Sequence, residues 1–317
     1  MSPKTPVVCD ASSIPDAVTA LRRGELVGMP TETVYGLAAD AGNPEAIARV
    51  FAAKGRPSFN PLISHVANVD AATREGAFDE RAVALATALW PGPLTMVVPV
   101  ADTARTCELA RAGLTTIGLR VPRHPLARKL LDAFDGPLSA PSANPSGRLS
   151  PTRAEDVVRE LGDRVSIVLD GGPCRAGIES TIVALSPNEP ARLLRPGAIG
   201  RDTIEAIIGP LAEAVPDEIT APGQLVSHYA PRATLRLEAA RAQPGEVLLG
   251  FGPDAPSAAA NLSATGDTVE AAASLYRLLR ELDASGAQTI AVMPIPDTGL
   301  GEAINDRLRR AAAPRND

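Results

Sequence analysis

Apolar residues recur along this chain with two different periods. In "NPEAIARVFAAKG", Ile47, Val50, Phe51 and Lys54 fall at i, i+3, i+4 and i+7, so they share one helix face. Asn43 suits the N-cap of that helix, Pro44 its first turn, and Gly55 the position just past its end. The same spacing predicts helices over "PDAVTALRRG", ended by Gly24, and over "DERAVALATALW" and "PLARKLLDAF". It predicts two more over "TRAEDVVREL", with Thr152 as cap, and "RDTIEAIIG", with Asp202 as cap. Shorter apolar runs, "ELVGMP", "PLISHVA", "LTMVVPV", "TIGLRVP", "SIVLDGG", "STIVAL" and "ARLLRP", read as strands. Some of these strands follow one another without a helix between. That predicts a mixed α/β sheet rather than a pure βαβ array.

The pattern lapses between Pro210 and Pro231, where prolines recur without a sustained period. A second α/β unit follows: "TLRLEA", "EVLLGFG" and "TIAVMPIP" read as strands of a parallel sheet, "TVEAAASLYRLLRELDASG" and "GLGEAINDRLRRAAA" as helices. The expected organisation is a main domain over 1–209, a linker over 210–232 and a small C-terminal domain over 233–317, which the chain's 317 residues accommodate. In the linker, Ser227, His228, Tyr229 and Arg232 are more specific than a spacer requires.

Composition narrows the chemistry. A net charge of −6 with only 3% aromatic residues argues against a general nucleic-acid binder held by bulk charge, while leaving room for a local basic cleft. Cys9, Cys107 and Cys174 are far apart, as are His65, His124 and His228, so neither a disulfide framework nor a zinc site is expected. The N-terminus lacks an apolar stretch behind a basic head, and no run nears the roughly 18 apolar residues of a span. A cytoplasmic location is expected. P-loop, nucleophile-elbow and HExxH signatures are absent, and "GLGEAI" carries Ile304 where a dinucleotide fingerprint needs a third glycine.

Polar residues cluster in three places. "KGRPSFNPLISH" brings Lys54, Arg56, Asn60 and His65 together between a helix end and a strand, as an anion-binding rim or as plain helix-end chemistry. "PLSAPSANPSGRLSPT" supplies Ser139, Ser142, Asn144, Ser146 and Ser150, which satisfy local backbone or bind phosphate oxygens. Arg120 interrupts an apolar strand, so it needs a partner: a structural carboxylate or a bound one. Thr31 and Thr33 follow the first predicted strand, and Ser180 and Arg195 stand at strand ends.

Taken in order, "PTETVYGL", "KGRPSFNPLISH", "WPGPLT", "GLRVPRHP", "SAPSANPSG", "DGG" before "GIESTIV", "LLRPG" and "HYAP" resemble the threonylcarbamoyl-AMP synthases, the YrdC-like family, in their long two-domain form. The resemblance implies a twisted sheet around a large positive cavity, with a smaller Rossmann-like α/β domain behind it. It implies a nucleotidyltransferase that makes L-threonylcarbamoyladenylate from L-threonine, bicarbonate or CO2, and ATP, releasing pyrophosphate. This would be the first step of threonylcarbamoyladenosine formation at tRNA position 37, ahead of a downstream transferase complex. The family's K-x-R…S-x-N signature falls on Lys54, Arg56, Ser142 and Asn144. Its nucleotide contacts carry over to Arg56, Asn60, Thr116, Ser142, Ser150, Arg195 and Tyr229, and its threonine contacts to Thr33, His65, Arg120, Ala140 and Ser180. Mg²⁺ is expected to travel with ATP, without dedicated protein ligands. Weak tRNA binding is compatible with the family. A hydrogenase-maturation carbamoyltransferase would carry zinc-finger cysteine pairs that this chain lacks, and an RNA-binding module fits poorly with the acidic balance.

Overall fold

The computed structural model describes residues 6–214, 220–223, 228–255 and 257–314. Ser227 of the linker and the first five residues therefore lie outside the described residues. The larger sheet uses β1 (Val7–Cys9), β2 (Val27–Met29), β3 (Gly36–Asp40), β4 (Ile63–His65), β5 (Leu94–Pro99) and β6 (Thr116–Arg120). It continues with β7 (Leu138–Ser139), β8 (Ile167–Leu169), β9 (Thr181–Ala184), β10 (Arg192–Arg195) and β11 (Ala212–Glu213). These eleven strands run in the order β1-β8-β2-β3-β7-β4-β6-β5-β9-β10-β11. Parallel and antiparallel neighbours both occur within it, β4 lying parallel to β6 and β6 antiparallel to β5, so the sheet is mixed as expected. β11 lies inside the 210–232 stretch and pairs with β10.

Among the described residues, the α-helices of this part are α1 (Ile14–Arg22), α2 (Pro44–Lys54), α3 (Val69–Glu75), α4 (Glu80–Leu89), α5 (Pro125–Phe134), α6 (Ala154–Leu161) and α7 (Arg201–Ile208). α2 forms as its sequence dictates. The Asn43 side chain accepts from the N–H groups of Glu45 and Ala46, and Gly55 ends the helix in the left-handed region at φ 59°. Two caps differ from expectation. Arg153, not Thr152, precedes α6, with no side-chain cap, and the Thr152 N–H donates instead to the Asp156 carboxylate within the first turn. Gly200, not Asp202, precedes α7, which leaves Asp202 inside the first turn, where a carboxylate favours the positive end of the helix dipole. Strands β1, β3 and β11 of this sheet have no counterpart in the apolar pattern. β3 is mostly Gly and Ala, and its strand state comes from pairing with β2 and β7 in the sheet interior rather than from its own propensity.

The C-terminal unit has β12 (Thr234–Arg236), β13 (Glu246–Gly250), β14 (Ala260–Asn261) and β15 (Thr289–Val292), in the order β12-β15-β13-β14. All three pairings are parallel. α8 (Thr268–Ala284) and α9 (Gly301–Ala312) pack on it. Its core is not self-contained: Leu275, Tyr276 and Ile304 cluster with Val34, Leu149 and Ile178 of the larger part, and with Tyr229. Gly177 sits so close to α8 that a Cβ there would fall 2.5 Å from the Ala273 Cα. The junction is therefore a packed interior. No helix among the described residues is long and apolar enough to cross a membrane.

Candidate active site

The parallel pairing of β4 with β6 sets His65 opposite Arg120 and Ile63 opposite Gly118. Alternation along β4 puts Ile63 and His65 on one face, and both line a cavity with Arg120, Thr31 and Thr33. The turn between β2 and β3 supplies the threonines. The Thr31 hydroxyl donates to the Val34 carbonyl at 2.6 Å and accepts from the Thr33 N–H, which holds the turn in shape. Arg120 donates to Thr33 Oγ1 at 2.9 Å and to Glu32 Oε1 at 2.7 Å. Burial would raise the Glu32 carboxyl, but the Arg120 guanidinium outweighs it and keeps the pKa low. Each terminal nitrogen of Arg120 carries two N–H groups, so one on each remains for a second acceptor. His65 is 2% exposed, and burial, aided by the neighbouring Arg120 charge, pushes its pKa down to about 3. Its Nδ1 is buried with no hydrogen-bond partner.

At the other end stand Arg56, Ser142, Arg195 and Glu179. Arg56 donates to the Asn60 side chain and to the Pro61 carbonyl, so the loop after α2 grips its own arginine. Burial lowers its pKa to about 10, which leaves it cationic at neutral pH. Arg195 donates to the Ser180 carbonyl at 2.9 Å and to the Pro222 carbonyl at 3.2 Å, tying β9 to the linker. Ser180 in turn shares a 2.8 Å hydrogen bond with Thr95.

The residues singled out from sequence divide into two shells. Thr33, His65, Arg120, Ala140, Ser180, Arg56, Ser142, Arg195 and Tyr229 line the cavity. Lys54, Asn60, Asn144 and Ser150 stand behind it. The Lys54 ammonium donates to the carbonyls of Ser142 and Asn144, and the Asn144 amide donates to the carbonyls of Pro145 and Arg148. The K-x-R…S-x-N signature therefore folds the serine-rich loop onto α2. Thr116 begins β6, about 13 Å from Arg120 at strand rise. Glu32, Glu179, Tyr276 and Arg307 were not singled out. A carboxylate inside each of the motifs "PTETVYGL" and "GIESTIV" was the available signal. Among the described residues, no three His, Cys, Asp or Glu side chains gather in a way that could hold a metal ion.

The linker enters this site. Pro222, Gly223, His228 and Tyr229 line the cavity and leave about 50 Å³ free. That is far below the roughly 300–1,000 Å³ of ordinary small-molecule sites. Tyr229 is 2% exposed and stacks on Tyr276 at 5.9 Å between ring centroids. Its backbone sits at φ 61°, an uncommon region for a bulky residue.

The family model described as "Telomere recombination" (Sua5, YciO and YrdC) matches residues 19–197, and the one described as "Threonylcarbamoyl-AMP synthase, C-terminal domain" matches 199–313. The chain belongs to the threonylcarbamoyl-AMP synthase family. It is 38% identical to the threonylcarbamoyl-AMP synthase of Bacillus subtilis, over 95% of this chain and 93% of that one. It is 37% identical to the Pyrococcus abyssi synthase, over 93% and 92%. Among solved structures, P. abyssi Sua5 complexed with L-threonine superposes with a TM-score of 0.88 at 34% identity, covering 97% of each chain. The family's two-domain organisation thus extends over essentially the whole of this fold.

Proposed function

We propose that this chain joins L-threonine, bicarbonate or CO2, and ATP into L-threonylcarbamoyladenylate, releasing pyrophosphate, as the first step of tRNA threonylcarbamoyladenosine formation. The observation that carries this reading is a single cavity with an arginine fork at one end and two buried arginines, Arg56 and Arg195, at the other. The threonine amine adds to CO2 to give a carbamate. A carbamate oxygen then attacks the α-phosphorus of ATP, and the bond to the β-phosphate oxygen breaks, so pyrophosphate leaves with its electron pair. No protein nucleophile is needed, and the site's work is positioning and charge stabilisation.

Arg120 binds the threonine carboxylate with its two remaining N–H groups, oriented by Glu32. Thr33, His65 and Ser180 hold the amine and hydroxyl. With a pKa of about 3, His65 is too weak a base to strip an ammonium and serves as a hydrogen-bond acceptor. Arg56 and Arg195 face the phosphates, with Lys54 holding the Ser142 loop. Mg²⁺ arrives on the triphosphate, where it neutralises phosphate charge. Among the described residues lining the cavity, the one carboxylate, Glu179, already accepts from three side chains, which fits a metal held mainly by phosphate oxygens. In this reading the product passes to a transferase that modifies tRNA, and a cytoplasmic location, where these substrates and tRNA are at hand, agrees with it. The test is pyrophosphate release with each substrate omitted in turn. Release is expected only with all three present, and equal release without threonine would overturn the reading.

A further inference from the structure

Glu179 lies two residues before β9, lines the cavity, and is 6% exposed. Three side chains from distant segments converge on its carboxylate. Ser150 Oγ donates at 2.6 Å, the Tyr276 hydroxyl at 2.9 and 3.1 Å to the two oxygens, and Arg307 Nε at 2.8 Å. Tyr276 comes from α8 and Arg307 from α9, so two of the three donors belong to the C-terminal unit. The Arg307 guanidinium also lies 5.0 Å from the ring centroid of Tyr229, which in turn stacks on Tyr276. Carboxylate, guanidinium and the two tyrosine rings thus form a closed circuit between linker, C-terminal unit and cavity.

Stability does not account for this arrangement. Arg307 is 1% exposed, and a buried ion pair is often no more stabilising than apolar residues of similar volume. Arg307 Nη2 is moreover buried without a hydrogen-bond partner, a cost that a purely structural pair would avoid. The location gives the better reason. A carboxylate beside Arg56 and Arg195 would repel an incoming triphosphate unless a fixed cation compensates it. Burial alone would raise the Glu179 carboxyl, yet Arg307 and Arg195 bring it down to about 2, so it is charged at neutral pH.

We propose that Glu179 is a positioning residue through which the C-terminal unit acts on the nucleotide end of the cavity: Arg307 compensates its charge, and the pair together seat Tyr229 over the site. The proposal rests on the functional reading above, and it explains why a synthase carries a second domain that contributes no group to the reacting atoms. Arg307 makes phosphate approach possible without touching phosphate, and Tyr276 fixes the carboxylate so that the compensation is held in place.

The test uses the full chain and steady-state pyrophosphate release. Arg307→Met removes the larger of the two cationic influences on Glu179 and is expected to raise KM for ATP about tenfold or more, with KM for threonine within about twofold. Adding Glu179→Gln removes the charge and is expected to bring KM for ATP back to within about threefold of the parent. Equal rises in both KM values, or no recovery in the double variant, would mean the pair is interdomain packing and overturn the proposal. Should Arg307→Met not fold, Tyr276→Phe keeps the stack on Tyr229 and deletes only the hydroxyl on Glu179. It is expected to raise KM for ATP about threefold with only a modest fall in melting temperature; an unchanged KM would equally overturn it. Release from the unmodified enzyme that ignores threonine would instead strike the functional reading itself.

Discussion

The two ends of the cavity are built in different ways. The end assigned to threonine is made by one sheet: β4 and β6 set His65 against Arg120, and the turn after β2 adds Glu32 and Thr33 a few residues apart. The end assigned to the nucleotide is assembled from far apart in the chain: Arg56 from a loop after α2, Arg195 from β10, Tyr229 from the linker, and Tyr276 and Arg307 from the C-terminal unit through Glu179. The first is rigid because strand pairing holds it. The second is complete only when several segments are in place together. A small, fixed substrate suits the first construction. A large nucleotide whose product must be shielded and then released suits the second.

Paired substitutions can break this contrast. Arg56→Ala removes a preorganised cation from the nucleotide end and is expected to lower kcat/KM at least about a hundredfold, since losing one such donor costs about 2.7–4 kcal/mol. Arg120→Ala is expected to act mainly on KM for threonine, by about ten- to a hundredfold, because hydrogen bonds to charged groups contribute about 1.5–3 kcal/mol. The second substitution also strands Glu32, so it belongs beside Arg120→Ala/Glu32→Gln, which separates lost binding from lost folding. If Arg120→Ala leaves threonine affinity intact while lowering stability, the arginine is only an ion-pair partner and the carboxylate clamp is wrong.

How legible each end was in the sequence follows from the same difference. Asn43, Pro44 and Gly55 set the limits of α2, and its apolar spacing correctly put Lys54 on the buried face, because caps and periodicity are local signals. Alternation likewise put Ile63 and His65 on one face. The assignment of particular residues to threonine and nucleotide came from the family resemblance, not from spacing. What escaped was decided by tertiary contact. The strand state of "GLAAD" depends on its neighbours in the sheet, and nothing near Glu179 in sequence announces Arg307, which is 128 residues away. Lys54 was legible as buried but not as a donor to the Ser142 and Asn144 carbonyls, since that needs the serine-rich loop to fold back onto α2.

Acid sensitivity probes both ends at once. His65 at the threonine end and His228 at the linker are each brought down to about 3, burial being the main cause, and half-buried His124 is lowered in the same direction. Below the ordinary imidazole pKa of about 6.5 the unfolded chain binds protons that the folded chain refuses. Stability is therefore full above that pH and is lost as pH falls toward 3. Each fully buried histidine contributes a slope of about 1.4 kcal/mol per pH unit in that window. Denaturant unfolding between about pH 6 and pH 5 should show it, staying above the range where most carboxylates titrate. His65→Gln and His228→Gln should each flatten the slope by a similar amount. A slope undiminished by both substitutions would show that neither imidazole is held neutral, since His124 accounts only for a residual part.

The smallest expected effect is the most informative about the linker. Tyr229 holds an uncommon backbone region at φ 61°, and such strain, about 1–3 kcal/mol, persists only where surroundings enforce it. Here the surroundings are Tyr276, Arg307 and His228, with Gly223 so near that a Cβ on it would fall 2.7 Å from the Tyr229 hydroxyl. Because the linker residues leave only about 50 Å³ free, they must move for ATP to enter. A segment that is strained, packed and in the way is suited to act as a lid. Reclosing over the product would keep water from the mixed anhydride of threonylcarbamoyl-AMP. Tyr229→Ala should lower the melting temperature, since losing a buried aromatic ring costs about 3–5 kcal/mol, and well below that temperature it should raise the ratio of AMP to threonylcarbamoyl-AMP about threefold, because what is lost at the site is shielding and not chemistry. Tyr229→Phe retains the ring and its stack and should keep the parent ratio. ATP should protect the 210–232 stretch of the parent from protease and protect it less in Tyr229→Ala. An unchanged product ratio together with ATP-independent cleavage would reduce Tyr229 to a packing residue at the domain junction, and the second end of the cavity would then be as fixed as the first.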